Sequence, residues 1–548
     1  MDFFGLQAQL DALSTAQSGA VADPESSVTR AWYLRQRDTR RALAECEIAE
    51  TSLTTLSAPL ARLAAARIAL VRAEATWLLG DNDRAQALLT SAREIFTAQA
   101  DFVGIGDACL CEASLLDQSG GDSTAANRNA VAAYARSDDA LRIAVADAWL
   151  ACLESTASAD AAALRWNATL ERARSLSHPG LDTFIEGALA SQAYQRGDLA
   201  GTVEHFERSY HAALQAGQLF SAITVAQNLG IAFSTLGDDE GALLWVQRAR
   251  ELVEPTGWPY ASSWCLVQSA SVLAGMGRAL AAHEMLSQGL PMLERFSESR
   301  NYALATQVLS EVALARNEPA QALAWCERSV PVAARLGFPD LASGSLRFKA
   351  LALSNLQRPD DAMAAAQEAL AIARKNGHLR HESTVLHAMA TIARDHALPP
   401  PRGSAAPSAP LHYLRAAFEV QRRSGAGVPA EWLAEMSGDL QAAGDLAGAL
   451  DHQRQATAAL AQAKLDKASS LATALQVRQR TESARAEAAQ QRALAQASQQ
   501  QLDLLQARQA TLEGRAGVDP QALRVAQPAS GAARADATSS LPEDKSAM

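Results

Sequence analysis

The chain has 548 residues, 48% of them apolar and 20% charged, so it can bury a core and is not disordered as a whole. Its 49 basic and 60 acidic residues leave a net charge of −11, which excludes the clustered positive potential that non-specific nucleic-acid binding needs. Aromatic residues make up only 5%, and much of the apolar share is alanine, which loses no side-chain entropy in a helix, so the composition points to an all-helical chain.

The N-terminus, Met1-Asp-Phe-Phe-Gly-Leu6, has no basic stretch followed by an apolar one, so no secretory leader is expected, and residues 1–29 read as a short N-terminal segment. No window approaches 18 consecutive apolar residues, so no membrane span is expected either, and the reading is cytoplasmic. Cys46, Cys109, Cys111, Cys152, Cys265 and Cys326 form no C-x-x-C pair and sit in apolar, helix-like stretches. They read as buried small hydrophobes; a redox or metal role for Cys109-x-Cys111 is the alternative.

From there a period runs along the chain. Short helix-to-helix turns centre on Gly80-Asp81, Gly121-Asp122, Ala159-Asp160, Gly197-Asp198, Gly237-Asp238, Gly277-Arg278, Asn317-Glu318 and Gln357-Arg358, in steps of 38 to 41 residues. Five residues after most turns stands a small residue (Ala85, Ala126, Ala242, Ala282, Ala322, Ala362), and seven later often another. Positions seven apart share a helix face two turns on, so small side chains there let paired helices approach closely. A second ladder, Gly217, Gly257, Gly337 and Gly377 with Ser297 in the remaining slot, has the pattern of left-handed helix C-termini. One hairpin cannot bury its apolar face alone, so the expectation is a stack of about ten to eleven helical hairpins over residues 30–456.

In the unit Val225–Arg250, Leu229-Gly230, Phe233, Gly237, Ala242, Val246 and Ala249 fall where the tetratricopeptide (TPR) repeat has its consensus residues. The chain therefore resembles a TPR protein over roughly residues 30–465. The resemblance implies an all-α, TPR-like α-solenoid superhelix. Its steps of about 40 exceed the ~34 of an ordinary TPR, and this longer form looks like the arrays of bacterial regulators related to the maltose activator and of diguanylate-cyclase-linked sensors.

The array is interrupted once, by the Pro/Gly/Ser-rich insertion 398–410, read as a surface loop. From Ala449 to Glu513 there is neither Gly nor Pro, so a long helix is expected over 457–513. It is either a parallel coiled-coil dimer or a solvated or folded-back helix. This segment resembles the signalling helix that joins such arrays to a cyclase output domain, but here a polar tail, 514–548, follows and reads as disordered.

Chemistry is sought without success. There is no phosphate-binding loop, no H-E-x-x-H and no G-x-S-x-G, and His378, His381, His387 and His396 lack a carboxylate or cysteine at ligand spacing. No catalytic residue, metal or cofactor is expected. The TPR register instead places Tyr194, Gln227, Trp264, Gln307, Glu311 and Arg347 on the inner face, with Asn228 and Gln268 beside them. That mixture of aromatic and hydrogen-bonding groups suits an extended peptide or partner helix. The functional expectation is a non-catalytic scaffold for protein–protein interaction in bacterial signalling, with a protein or peptide partner, a homodimer through the C-terminal helix, and neither nucleic acid nor membrane. The alternative is the input portion of a diguanylate-cyclase-type signalling protein lacking its output domain. A third class is a small-ligand sensor with a pocket inside the solenoid.

Overall fold

The computed structural model describes residues 1–15, 23–119, 123–154, 166, 169–173, 175–195, 198–425, 427–465 and scattered positions as far as 490. Among them every regular element is an α- or 3-10 helix, and no strand occurs. Among the described residues successive helices pack against one another, most of them across short turns, which makes the chain an all-α, TPR-like solenoid.

The turn chemistry explains the period. Between Leu219–Thr235 and Asp239–Val253, Gly237 adopts φ +77° and closes the first helix, while the Asp238 carboxylate accepts the Gly241 N–H at 2.9 Å and caps the second. The Gly-Asp pair thus ends one helix and starts the next. Asp81 and Asp445 repeat the cap, at 3.2 and 2.9 Å. Where the sequence departs from Gly-Asp the backbone keeps its shape: Asn317 and Gln357 both sit at φ +59°. Glu318 and Arg358 supply no cap, and Pro319 and Pro359 start the next helix instead. The second ladder, Gly217, Gly257, Gly337 and Gly377, is left-handed at every glycine, but Ser297 stays right-handed, and Ser299 opens the next helix by accepting the Tyr302 N–H at 3.3 Å. The turns expected at Gly121, Ala159 and Gly197 lie outside the described residues.

The small residues lie at the helix crossings. Ala85, Ala242, Ala282, Ala322 and Ala362 are all fully buried. A Cβ at Gly230 would stand 2.7 Å from Val246 Cγ1, closer than side chains pack. Ser209 and Ser329 fill the small position seven residues further on and keep their hydroxyls satisfied by donating to the Thr183 and Ala303 carbonyls at 2.7 and 3.1 Å.

The first half of the solenoid comes round on itself. The Trp258 indole N–H donates to Thr39 Oγ1 at 3.1 Å across 219 residues of chain. Arg37 donates to the Gln215 carbonyl at 2.9 Å, and Phe220 lies against Trp77 with ring centroids 5.4 Å apart. Gly80 takes φ +89°, and a Cβ there would meet Phe296 at 2.9 Å and Pro259 at 3.1 Å, so this corner needs glycine on two counts.

The N-terminal residues belong to this closed turn. Phe4 is fully buried, stacked on His178 with centroids 5.3 Å apart, and its ring leaves no room for a side chain at Gly180. Further along, the non-helical stretch 396–408 separates Leu379–Asp395 from Ala409–Arg423. The last described continuous helix covers 446–465 and exposes Leu446, Leu450, Leu460 and Leu465. The paired or folded-back helix expected over 457–513 and the tail 514–548 lie mostly outside the described residues. No described helix is long and apolar enough to cross a membrane.

Candidate functional site

The interior of the closed turn is a half-open chamber of about 520 Å³. Aromatic rings from successive inner helices form its walls, among them Trp77, Trp149, Phe184, Phe220 and Trp264. Phe3 also lines it.

Charged side chains border this space, and they are matched with one another. Asp107, fully buried, accepts from Arg142 Nε at 2.8 Å, Arg67 Nη1 at 2.6 Å and the Tyr134 hydroxyl at 2.7 Å. Burial alone would raise the Asp107 carboxyl; the charges of Arg142 and Arg67 and the hydrogen bonds outweigh it and hold the pKa below the usual aspartate range. Burial and the adjacent carboxylate push the Tyr134 hydroxyl far up, so it stays a neutral donor. Arg35 pairs with Glu74 at 2.9 Å and lies 3.9 Å above the Trp32 ring, and Gln36 donates to the same carboxylate at 2.7 Å. Such buried pairs are costly to break singly, because the remaining charge is left in a low-dielectric site.

Arg142 and Trp32, with Arg37, also hold the N-terminal segment, which is non-helical and bends at Phe3-Phe4. The Met1 carbonyl accepts from Arg142 at 3.2 Å, those of Asp2 and Phe3 from the Trp32 indole at 3.0 and 3.1 Å, and that of Gly5 from Arg37 Nε at 3.0 Å. The Asp2 N–H donates to the Tyr33 hydroxyl at 3.0 Å. Main-chain groups are therefore read by side chains, while Phe3 and Phe4 fill apolar space.

The eight inner-face candidates separate. Asn228 and Trp264 both line the chamber. Gln227 does not face it: only 1% of its surface is exposed, and its Nε2 donates to Cys265 Sγ at 2.8 Å inside the helix stack. Gln268 is likewise buried. Gln307 accepts from the Ser345 hydroxyl at 3.3 Å and packs beside Gly344, whose missing Cβ makes room for it. Glu311 is exposed, and the half-buried Arg347 lies over the Phe348 ring at 4.0 Å. Burial lowers the Arg347 pKa, and the charge of Glu311 acts against it. Tyr194 stands apart, 45% exposed.

Trp77, Trp149, Phe184 and Phe220 were not among the candidates. Their signal was regional: seven of the nine tryptophans precede residue 265.

The other reactive side chains that are described are accounted for by packing; the side chain of Cys152 lies outside them. Cys46, Cys109, Cys111, Cys265 and Cys326 are buried and unpaired, and burial pushes the Cys46 and Cys265 thiols up to about 12, far from a reactive thiolate. His387 stacks on Trp432 at 4.4 Å and bonds Glu435, and His396 bonds Ser354. Among the described residues no group of His, Cys, Asp or Glu has the arrangement of a metal site.

No protein-family model and no curated protein matches the chain. Solved structures similar to it include a Rap protein complexed with competence and sporulation factor, 10% identical, covering 74% of this chain and 99% of that one at a TM-score of 0.46. A STAND protein with a tetratricopeptide repeat sensor from Pyrococcus horikoshii is 11% identical and covers 81% of this chain and 74% of its own at 0.45. The apo form of RapI is 10% identical and covers 52% of this chain and 98% of its own at 0.40. The repeated hairpins, left-handed turns and small-residue crossings of this chain itself make it a TPR-like α-solenoid.

Proposed function

We propose that the chain is a non-catalytic, cytoplasmic scaffold for protein–protein interaction in bacterial signalling, binding an extended peptide or partner segment on its inner face. The observation that carries this reading is the way the interior holds residues 1–5: arginine and tryptophan donors on carbonyls, with aromatic side chains sunk beside them. The exposed Glu311, the neighbouring Arg347, and Trp264 and Asn228 at the chamber are the contact residues we assign. Gln227, Gln268 and Gln307 support the inner helices, and the exposed Tyr194 is an outlying contact. We assign residues 30–456 to the solenoid and 457–513 to a helix that pairs with a second copy.

Selection from a random peptide library against the full chain tests the groove. Peptides whose binding falls at least tenfold with Arg347→Ala or Trp264→Ala support it, and enrichment of none sinks it. A strict monomer at micromolar concentration, by sedimentation, would remove the pairing helix.

A further inference from the structure

The chamber differs from the peptide-holding surface beside it in what it leaves unpaired. At about 520 Å³ it has the size of a small-molecule site. Its charges are spent on each other: Arg35 on Glu74, Asp107 on Arg142 and Arg67, and Arg300 on Asp340 at 3.0 Å. A charged guest would find no free counter-charge and would have to shed its water for nothing.

Three polar atoms on lining residues nevertheless have no partner in the protein. These are the Trp77 indole N–H, the Asn301 Nδ2 and the Gln36 Oε1. Trp77 and Asn301 are each more than nine-tenths buried. Leaving a buried donor unmet costs on the order of 1–3 kcal/mol, and because each of these atoms is itself closed to solvent, a guest that brings an acceptor gains the bond only by shifting the side chain toward it. A saturated acyl chain would fill the volume but leave them unmet. Flat aromatic surface matches walls built from Trp77, Trp149, Phe220 and Trp264.

We infer that the chamber inside the closed turn is a binding site for an uncharged, flat aromatic small molecule carrying at least one hydrogen-bond acceptor. The guest lies between the tryptophan and phenylalanine walls and shifts Trp77 or Asn301 enough for its acceptor to take that hydrogen. Arg347 keeps this site distinguishable from the peptide-binding reading, because it does not line the chamber, whereas Trp264 does and is shared by both.

The test is a fluorescence titration of the full chain with 6-propionyl-2-dimethylaminonaphthalene, a neutral naphthalene ketone whose emission shifts to the blue in dry surroundings. The expected result is saturable binding of one probe per chain, with energy transfer from tryptophan. The anionic 1-anilinonaphthalene-8-sulfonate should bind at least tenfold more weakly. Gly187 lines the chamber, and a Cβ there would meet nothing nearer than Ser209 Oγ at 3.4 Å, so Gly187→Leu should fill the void with the helical content and melting temperature kept. Ser221→Phe fills it from another helix and guards against a folding defect in the first variant. Both should abolish probe binding. Trp77→Phe keeps a ring, loses the donor, and should weaken binding about fivefold or more. Binding that does not saturate, that survives both filling variants, or that is equal for the anionic probe overturns the assignment, as does no binding at all.

Discussion

The first and second halves of this solenoid are built from the same hairpin and hold together differently. From Phe3 to Val272 the buried apolar residues form one continuous cluster, stapled by Trp258 on Thr39 and by Arg37 on Gln215. Beyond Val267 the core divides into smaller clusters, Val267–Ala342 and Leu346–Ala456, whose members are near neighbours in sequence. The later repeats are the more regular: their turns step by 40 residues and their alanines recur on schedule. The earlier ones carry most of the tryptophans and the fully buried ions. Regular repetition yields an open stack stabilised by neighbours, whereas irregular aromatic and ionic side chains let a stack return to its own beginning and enclose a chamber.

That contrast can be broken most sharply at Asp107. Asp107→Ala leaves Arg142 and Arg67 without their shared carboxylate and should cost about 3–5 kcal/mol, read as a lowered urea midpoint of the transition that reports the first half. In hydrogen exchange, amides between 300 and 440 should keep their protection; equal loss in both halves would show that they are not separate units. The same carboxylate sets an acid limit. Its folded pKa lies below the ordinary ~3.9 of an aspartate, so its contribution is complete above that value and drains away as pH falls through the lowered one. Acid titration of wild type and Asp107→Ala should converge there.

Phe4→Ala comes next. It empties a fully buried site against His178 and Phe184 and should cost about 3 kcal/mol in the first half alone. Gly80→Ala should cost about 2 kcal/mol, from a left-handed backbone and contact with Phe296. The smallest effect has the opposite sign. Gln357→Gly relieves a left-handed non-glycine residue in the second half and should stabilise that half by up to ~1 kcal/mol in thermal melts.

The fold was largely legible in advance because its cause is local. A glycine that ends a helix, an aspartate that begins the next and an alanine five residues later write the hairpin directly into the string. The exceptions Asn317-Glu318 and Gln357-Arg358 were placed by the period alone, and the prolines that start their next helices came to light only in the structure. The chamber was far less visible. Trp264 and Asn228 could be placed on an inner helix from the register, but Gln227, one residue from Asn228, turned out to face Cys265. A helical position shifts by about 100° per residue, and small errors in register decide between groove and core. The closure itself rests on pairs such as Thr39 and Trp258, which no short-range pattern connects. The part played by Phe4 was hidden for the same reason, since its partners His178 and Phe184 lie far along the chain.

Closure also governs how the array can change in length. Copies of a hairpin can be added to or removed from an open stack, because each new unit only needs the one before it. Inside the closed turn, every extra unit would carry Trp258 past Thr39 and Gln215 past Arg37, and every missing one would leave them short. Duplication and deletion of hairpins should therefore be tolerated between residues 300 and 395 and rejected before residue 260. The first turn has a fixed circumference, and only the later stack can act as an adjustable ruler.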